Sequence, residues 1–137
     1  MKKYLVDKNA KEIGFDTFKD LNENIDEIVL PEGLLSIRKN AFFDNINLKK
    51  INIPNSVEII EEQAFWGLDN LKEIILKPTI KTIMKHAFCN CVNLTIRVAC
   101  TKNEIPKGWN DEFFANIKCI SFANYIYPVC GKYGFDD

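Results

Sequence analysis

The sequence lacks both a long apolar run and an excess of charge of one sign. No stretch approaches the ~20 apolar residues that a membrane-spanning helix needs. The formal net charge is −1, from 18 Lys and Arg against 19 Asp and Glu, so no basic excess attracts nucleic acid phosphates or anionic lipid. These absences predict a protein that neither inserts into a membrane nor binds nucleic acid.

An export signal is also missing from the first residues. A secretory signal needs an apolar region of ~7–15 residues, whereas Asp7 and Lys8 end the short apolar stretch that begins at Tyr4. The sequence as it stands therefore predicts a cytoplasmic protein. A piece of a longer exported chain would give the same pattern, and its place would be the cell surface or the exterior.

Patterns of metal ligands and of nucleophiles are scarce. His86 is the only histidine, and Cys89 and Cys91, separated by one residue, are poorly spaced for zinc. Paired carboxylates at helical spacing, a phosphate loop and a Ser-His-Asp signature are all absent. We therefore expect no metal, no cofactor and no catalytic residue. A less favoured alternative is a thiol or metal site formed by the cysteines of the tail, Cys100, Cys119 and Cys130.

What the sequence does contain is a repeat with a period of about 23 residues, a length typical of solenoid units. Matched columns of asparagine, aliphatic residues and Ala-Phe pairs run through the chain, too many to arise by coincidence. They include Asn24, Asn47, Asn70 and Asn93; Ile28, Ile51 and Ile74; Leu30, Ile53 and Leu76; Leu34, Val57 and Ile80; Ile37, Ile60 and Ile83; Ala41, Ala64 and Ala87; and Phe42, Phe65 and Phe88.

Such a period has a physical meaning. One unit cannot bury its own apolar side, so it must stack on a copy of itself. The alternation in Leu-x-x-Ile-x-Ile is typical of a strand with one buried face, and Pro54 ends that strand. The repeat therefore predicts a right-handed solenoid with a parallel β-sheet on its concave side and short helical or 3₁₀ turns in the return limbs. The asparagine column is predicted to satisfy buried amide groups of the turns.

The two ends depart from the pattern. We expect a leucine-rich repeat array over residues 1–99, with about four repeats of which the first is irregular, and a C-terminal cap over residues 100–137. The tail is rich in aromatic residues, which would cover the open end of the core. Trp109 is predicted to lie over that end, with Phe113 and Phe114 beside it.

The pattern Leu-x-x-Ile-x-Ile-Pro-x-x-Val-x-x-Ile-x-x-x-Ala-Phe resembles the BspA-like leucine-rich repeats. The return limb Ala-Phe-x-x-Cys-x-Asn-Leu, ending here at Leu94, is similar to the most recognisable piece of that family. The resemblance covers residues 13–99, and a weaker one covers the tail. It implies a curved solenoid without catalytic residues, of a family usually found in surface or secreted proteins that adhere to or bind other proteins. This chain departs from it in having few repeats and no visible export signal.

Two surfaces are candidates for binding. Outward-facing strand residues form two columns on the concave sheet, namely Glu27, Lys50 and Glu73, and Val29, Asn52, Ile75 and Arg97. The alternating charges of the first column could equally serve only to stabilise strand pairing. Phe43 and Trp66, in a column that Cys89 continues, form a lateral patch if they are exposed; otherwise they fold over the neighbouring coil. His86 is predicted to be a surface or capping residue, and Cys91 to pack in the core.

The sequence favours a non-enzymatic module that presents its concave sheet to a protein partner whose identity it does not give. Such a module would be a monomer or a weak homo-oligomer. The alternative is a structural or adhesive fragment of a larger bacterial surface protein.

Overall fold

The computed structural model describes residues 2–18, 24–43, 45, 47–123 and, for the backbone alone, 125–128. These residues form short strands joined by turns. In chain order the strands are β1 (Lys3–Leu5), β2 (Glu12–Ile13), β3 (Glu27–Val29), β4 (Ser36–Ile37), β5 (Lys50–Ile51), β6 (Ile59–Ile60), β7 (Glu73–Leu76), β8 (Thr82–Ile83), β9 (Phe88–Cys89), β10 (Thr95–Val98), β11 (Gly108–Trp109), β12 (Phe114–Ala115), β13 (Cys119–Phe122) and β14 (Tyr125–Pro128).

The strands that begin each coil lie side by side in a parallel arrangement. β1, β3 and β5 pair with one another, and so do β7, β10 and β13, while β5 packs next to β7. We call these six strands the front sheet and its solvent side the front face. The register places Ile28 opposite Ile51, and Ile96 opposite Ile74. The predicted parallel solenoid is thereby confirmed.

The side chains that point inward from the front sheet build one continuous core. The aliphatic columns predicted from the repeat are buried, with exposed fractions of 0–7%. Phenylalanine rings stack along the centre, at centroid distances of 5.3 Å between Phe18 and Phe42 and 4.7 Å for the next two steps, to Phe65 and Phe88. Each coil thus buries the apolar side of its neighbour, as the repeat requires.

The return limbs carry a second parallel ladder rather than the expected helical turns. β2, β4, β6, β8 and β11 pair in sequence order. Farther along, backbone amides bond between coils: the N–H of Phe65 donates to the carbonyl of Ala87 at 2.8 Å. These bonds between coils alternate with bonds within single turns, such as that from the N–H of Ala41 to the carbonyl of Arg38 at 3.1 Å. The Ala-Phe pairs therefore lie in isolated turns and not in a continuous helix. Among the described return limbs, 3₁₀ geometry occurs only at Phe15–Thr17; the other 3₁₀ segment, Lys102–Glu104, follows a front strand.

The turn before each Ala-Phe pair needs left-handed backbone. Asn40, Gln63 and His86 have φ angles of 57°, 57° and 61°, a region that L-residues adopt at some cost and that asparagine tolerates best among those with side chains. The polar column that contains His86 is therefore a backbone requirement of the coil.

The asparagine column lies at the surface, which corrects the expectation that it is buried, and two of its hydrogen bonds link neighbouring coils. All four asparagines are exposed. The side-chain amide of Asn47 donates to Oδ1 of Asn24 at 2.8 Å, and that of Asn93 donates to the carbonyl of Asp69 at 2.8 Å.

The solenoid continues beyond residue 99, where the array was predicted to end. β11, β12 and β13 pair in parallel with β8, β9 and β10, so residues up to Phe122 form another coil. The period is hidden because the link between front and back strands runs over 99–107 here and over 77–81 in the preceding coil. Trp109 and Phe113 are buried inside this coil. After it, β14 pairs antiparallel with β13 and ends the parallel stack.

Candidate interaction surfaces

The front face presents two outward columns, one mainly charged and one in which aliphatic and polar side chains are equal in number. The first is formed by Lys3, Glu27, Lys50, Glu73, Thr95 and Cys119, and the second by Leu5, Val29, Asn52, Ile75, Arg97 and Ser121. Three aliphatic side chains of the second column are exposed, Leu5 to 70%, Val29 to 37% and Ile75 to 44%. Two parallel ladders, which pack side by side at β5 and β7, hold these side chains in a regular row.

Ion pairs between neighbouring coils order the charged column. The carboxylate of Glu27 lies 3.7 Å from Nζ of Lys3 and 3.9 Å from Nζ of Lys50. Nε of Arg97 donates to Oε2 of Glu73, and this hydrogen bond raises the pKa of Arg97. The alternating charges therefore do stabilise strand pairing, although exposed pairs contribute only ~0–1 kcal/mol each.

Glu27 differs from its expected role as an exposed contact residue. It is 8% exposed, because the two lysines on the adjacent strands cover it. Lys50, Asn52, Glu73 and Arg97 are exposed, as predicted. The predicted set is thus brought together on one face, with Glu27 beneath the surface rather than on it.

The lateral patch is divided into two parts. Phe43 is 43% exposed, and its ring lies 6.2 Å from that of Phe15, which is itself 50% exposed. Trp66 is half-buried and meets His86 edge to face at 6.1 Å. Cys89, in the same column, is buried. The two predicted residues therefore share a column, but the column becomes progressively covered along the solenoid.

Comparison with known proteins agrees with this geometry. A model of the BspA-type leucine-rich repeat region, in six copies, matches residues 1–121. The chain belongs to the BspA-type leucine-rich repeat family. Proteins with this repeat fold are typically non-catalytic scaffolds that serve as interaction or surface-protein modules.

Two solved structures are similar to this leucine-rich repeat protein. The pneumococcal vaccine antigen PcpA is 31% identical, over 89% of this chain and 30% of that one, with a TM-score of 0.73. A leucine-rich repeat protein from Bacteroides ovatus is 22% identical, over 88% of this chain and 31% of that one, with a TM-score of 0.65, and supports the fold alone. The chain thus spans about a third of the length of either structure. No curated protein matches it.

The cysteines of this leucine-rich repeat protein offer little reactivity in the described part of the chain. Burial raises the pKa of Cys89 to about 12 and that of Cys91 to about 11, and the Cys91 thiol donates to the carbonyl of Phe65 at 2.7 Å. Cys91 packs in the core, as expected. Buried, protonated thiols are poor nucleophiles and poor metal ligands.

The thiol or metal site that was the alternative for the tail finds no assembled cluster in the described residues. Cys100 is buried and its pKa is raised by desolvation, whereas Cys119 lies on the front face, 3.6 Å from the hydroxyl of Thr95. Cys130 lies outside the described residues. Within the described residues, no three His, Cys, Asp or Glu side chains are placed to hold a metal ion. A separate search of the same residues finds no helix that is both long and apolar enough to cross a membrane.

Sequence reasoning missed the contribution of the first coil to the front face. Lys3 and Leu5 continue the two outward columns, opposite Glu27 and Val29. The signal was the triplet Lys-Tyr-Leu, in which only Tyr4 points inward, placed one coil before Glu-Ile-Val. It escaped notice because Lys3 precedes its partner Glu27 by 24 residues, whereas Glu27 precedes Lys50 by 23.

Proposed function

We propose that this chain is a non-enzymatic protein-binding module and that it holds its partner on the front face. The observation that carries the proposal is the exposure of Leu5, Val29 and Ile75 on one side of the stacked front strands. Exposed aliphatic side chains aligned on a regular surface are typical of interaction sites. Repeat solenoids commonly bind along such extended sheets.

A second candidate function is a structural or adhesive part of a larger surface protein. It is favoured by one observation: the chain covers only 30% of the length of the pneumococcal antigen to which it is similar. In that case this segment would act outside a cell. Tagging the endogenous protein and fractionating the cells tests this location.

The binding proposal is tested by affinity capture with matched surface variants. Ile75→Asp places a charge in the second column, and Val92→Asp makes the same change at a side chain of similar exposure, 53%, away from the front strands. We expect Ile75→Asp to lose the proteins retained by the wild-type chain and Val92→Asp to keep them. Melting curves establish that both variants are folded. Equal retention by the two variants would contradict the proposal.

A further inference from the structure

A row of basic side chains borders the front face at the start of its strands. Backbone hydrogen bonds also join neighbouring coils at the residues just before the front strands. The N–H of Lys49 donates to the carbonyl of Asp26 at 2.8 Å, and the N–H of Thr95 donates to the carbonyl of Lys72 at 2.9 Å. We call the exposed cations of this row and of the adjoining columns the basic margin. Its members are Lys2, Lys3, Lys49, Lys50, Lys72, Arg97 and Lys118.

Among the described residues of the front strands and of the positions just before them, carboxylates are fewer than cations, and two of these three are largely buried. The side chains of Asp26 and Glu27 are 22% and 10% exposed, against 57% for Lys49 and 58% for Lys50, which pair with them. The third, Glu73, is paired with Arg97. The front face therefore presents positive charge to a partner although the whole chain carries −1. Such an asymmetry favours an acidic partner and speeds its association.

The second column, which lies beside these charges, has a spacing closer to the repeat of a helix than to that of an extended segment. Adjacent strands lie ~4.8 Å apart, so the column places one outward side chain about every 4.8 Å. An α-helix brings a side chain to the same face about every 5.4 Å, once per turn. An extended segment would do so only every ~6.7 Å and would fall out of step within a few coils.

We propose that the front face holds an acidic amphipathic helix of a partner protein. This inference rests on the function proposed above and names the partner's chemistry. The helix would lay its apolar stripe on Leu5, Val29 and Ile75 and direct carboxylates to the basic margin. From Leu5 to Arg97 the column spans ~19 Å, which corresponds to about 13 helical residues. Asn52, in the middle of the column, requires a polar side chain from the helix at that point.

The test uses synthetic peptides and the full chain, with binding measured by fluorescence anisotropy. The first peptide is a helix with a leucine stripe flanked by glutamates, about 14 residues long so that it spans the column. The second carries lysines in place of the glutamates, and the third has the first composition in an order without a stripe. We expect the first to bind at least about tenfold more tightly than either of the others and to weaken as salt is raised.

Two chain variants with matched ion pairs connect binding to the face. Lys49→Glu removes a pair of 3.2 Å with Asp26 on the margin, and Lys81→Glu removes a pair of 3.3 Å with Glu58 elsewhere on the solenoid. Lys49→Glu should weaken binding of the glutamate peptide by about tenfold or more, and Lys81→Glu should leave it unchanged. Equal effects of the two variants would overturn the proposal.

The remaining outcomes separate this inference from the function on which it rests. Equal affinity for the glutamate and lysine peptides would refute the acidic helix, while the module itself would stand if Ile75→Asp still abolished protein capture. Equal affinity for the striped and scrambled acidic peptides, with displacement by heparin, would identify a general polyanion site and refute the helix. If no peptide bound and Ile75→Asp had no effect on capture, both proposals would fail.

Discussion

At the scale of single residues, the central phenylalanines carry much of the packing. Phe65 is fully buried between two stacked rings, whereas Phe43, its neighbour in the preceding coil, is 43% exposed. We expect Phe65→Ala to lower the free energy of unfolding by ~3–5 kcal/mol, the usual range for a core aromatic. Phe43→Ala should cost clearly less. Urea denaturation of both variants measures the difference, and equal losses would mean that the faces of the coil are misassigned.

The buried thiols predict a loss of stability in alkali. Their folded pKa values, about 12 for Cys89 and about 11 for Cys91, lie above the ~8.5 of an unfolded cysteine, so the folded state binds these protons more tightly. Their contribution is complete below about pH 8 and declines as the pH rises toward the folded values. At pH 10 we expect a loss of up to ~2 kcal/mol for each thiol.

Unfolding free energies at pH 8 and pH 10 check this, with the double variant Cys89→Ala, Cys91→Ala as the control. The wild-type chain should lose more stability between the two pH values than the double variant does. The same pH dependence in both would show that the thiols are not the cause.

At the scale of elements, a glycine permits the last coil to dock. A Cβ atom at Gly108 would overlap the backbone carbonyl oxygen of Lys81, a clash that no side-chain rotation can relieve. We therefore expect Gly108→Ala to destabilise the chain by ~1–3 kcal/mol, as overpacking does. Gly14 offers the matched control, because a Cβ there meets only the Arg38 side chain at an ordinary 3.5 Å. Thermal melts compare the two, and a neutral Gly108→Ala would disprove the close approach.

The capping role assigned to residues 100–137 remains a prediction. Because residues up to Phe122 form another coil, we now expect the cap to be the segment that follows Phe122. β14 covers the amides on the outer edge of β13, and an open edge of this kind is a template for association. A chain shortened to residues 1–122 should therefore form oligomers, and Ser121→Lys in that shortened chain should reduce them by placing a charge on the edge strand. Size-exclusion chromatography with light scattering reports the mass. A shortened chain that is monomeric and equally stable would refute the cap.

The sequence repeat predicted most of the strands of the fold, and the strands that it did not predict were missed for physical reasons. Residues 24–94 keep a period of 23 residues, so their aliphatic columns and parallel strands were evident. The second parallel ladder, in the return limbs, was not evident. Each of its strands is only two residues long, so a single inward side chain per coil leaves no alternating pattern in the sequence. The last coil was taken for a cap because the longer link at 99–107 removes it from the period.

At the scale of the whole molecule, the front face was predicted in outline but not in its charge balance. The two outward columns follow from the alternation of the strands. The burial of Glu27 does not follow from that alternation. It depends on the ion pairs with Lys3 and Lys50, which come from the strands of the two neighbouring coils. Nor could a chain with a net charge of −1 suggest a basic margin, because only the stacking of coils gathers those lysines on one side.

The proposed function requires that a partner protein is held on the front face, and methyl NMR tests this directly. The chain would be labelled at the methyl groups of Ile, Leu and Val and titrated with a protein retained in the capture experiment. Exposed reporters exist on the front face, at Leu5, Val29 and Ile75, and away from its strands, at Leu35 and Val92. We predict that the first three resonances shift on binding and that the other two do not. Shifts confined to Leu35 and Val92 would contradict the account.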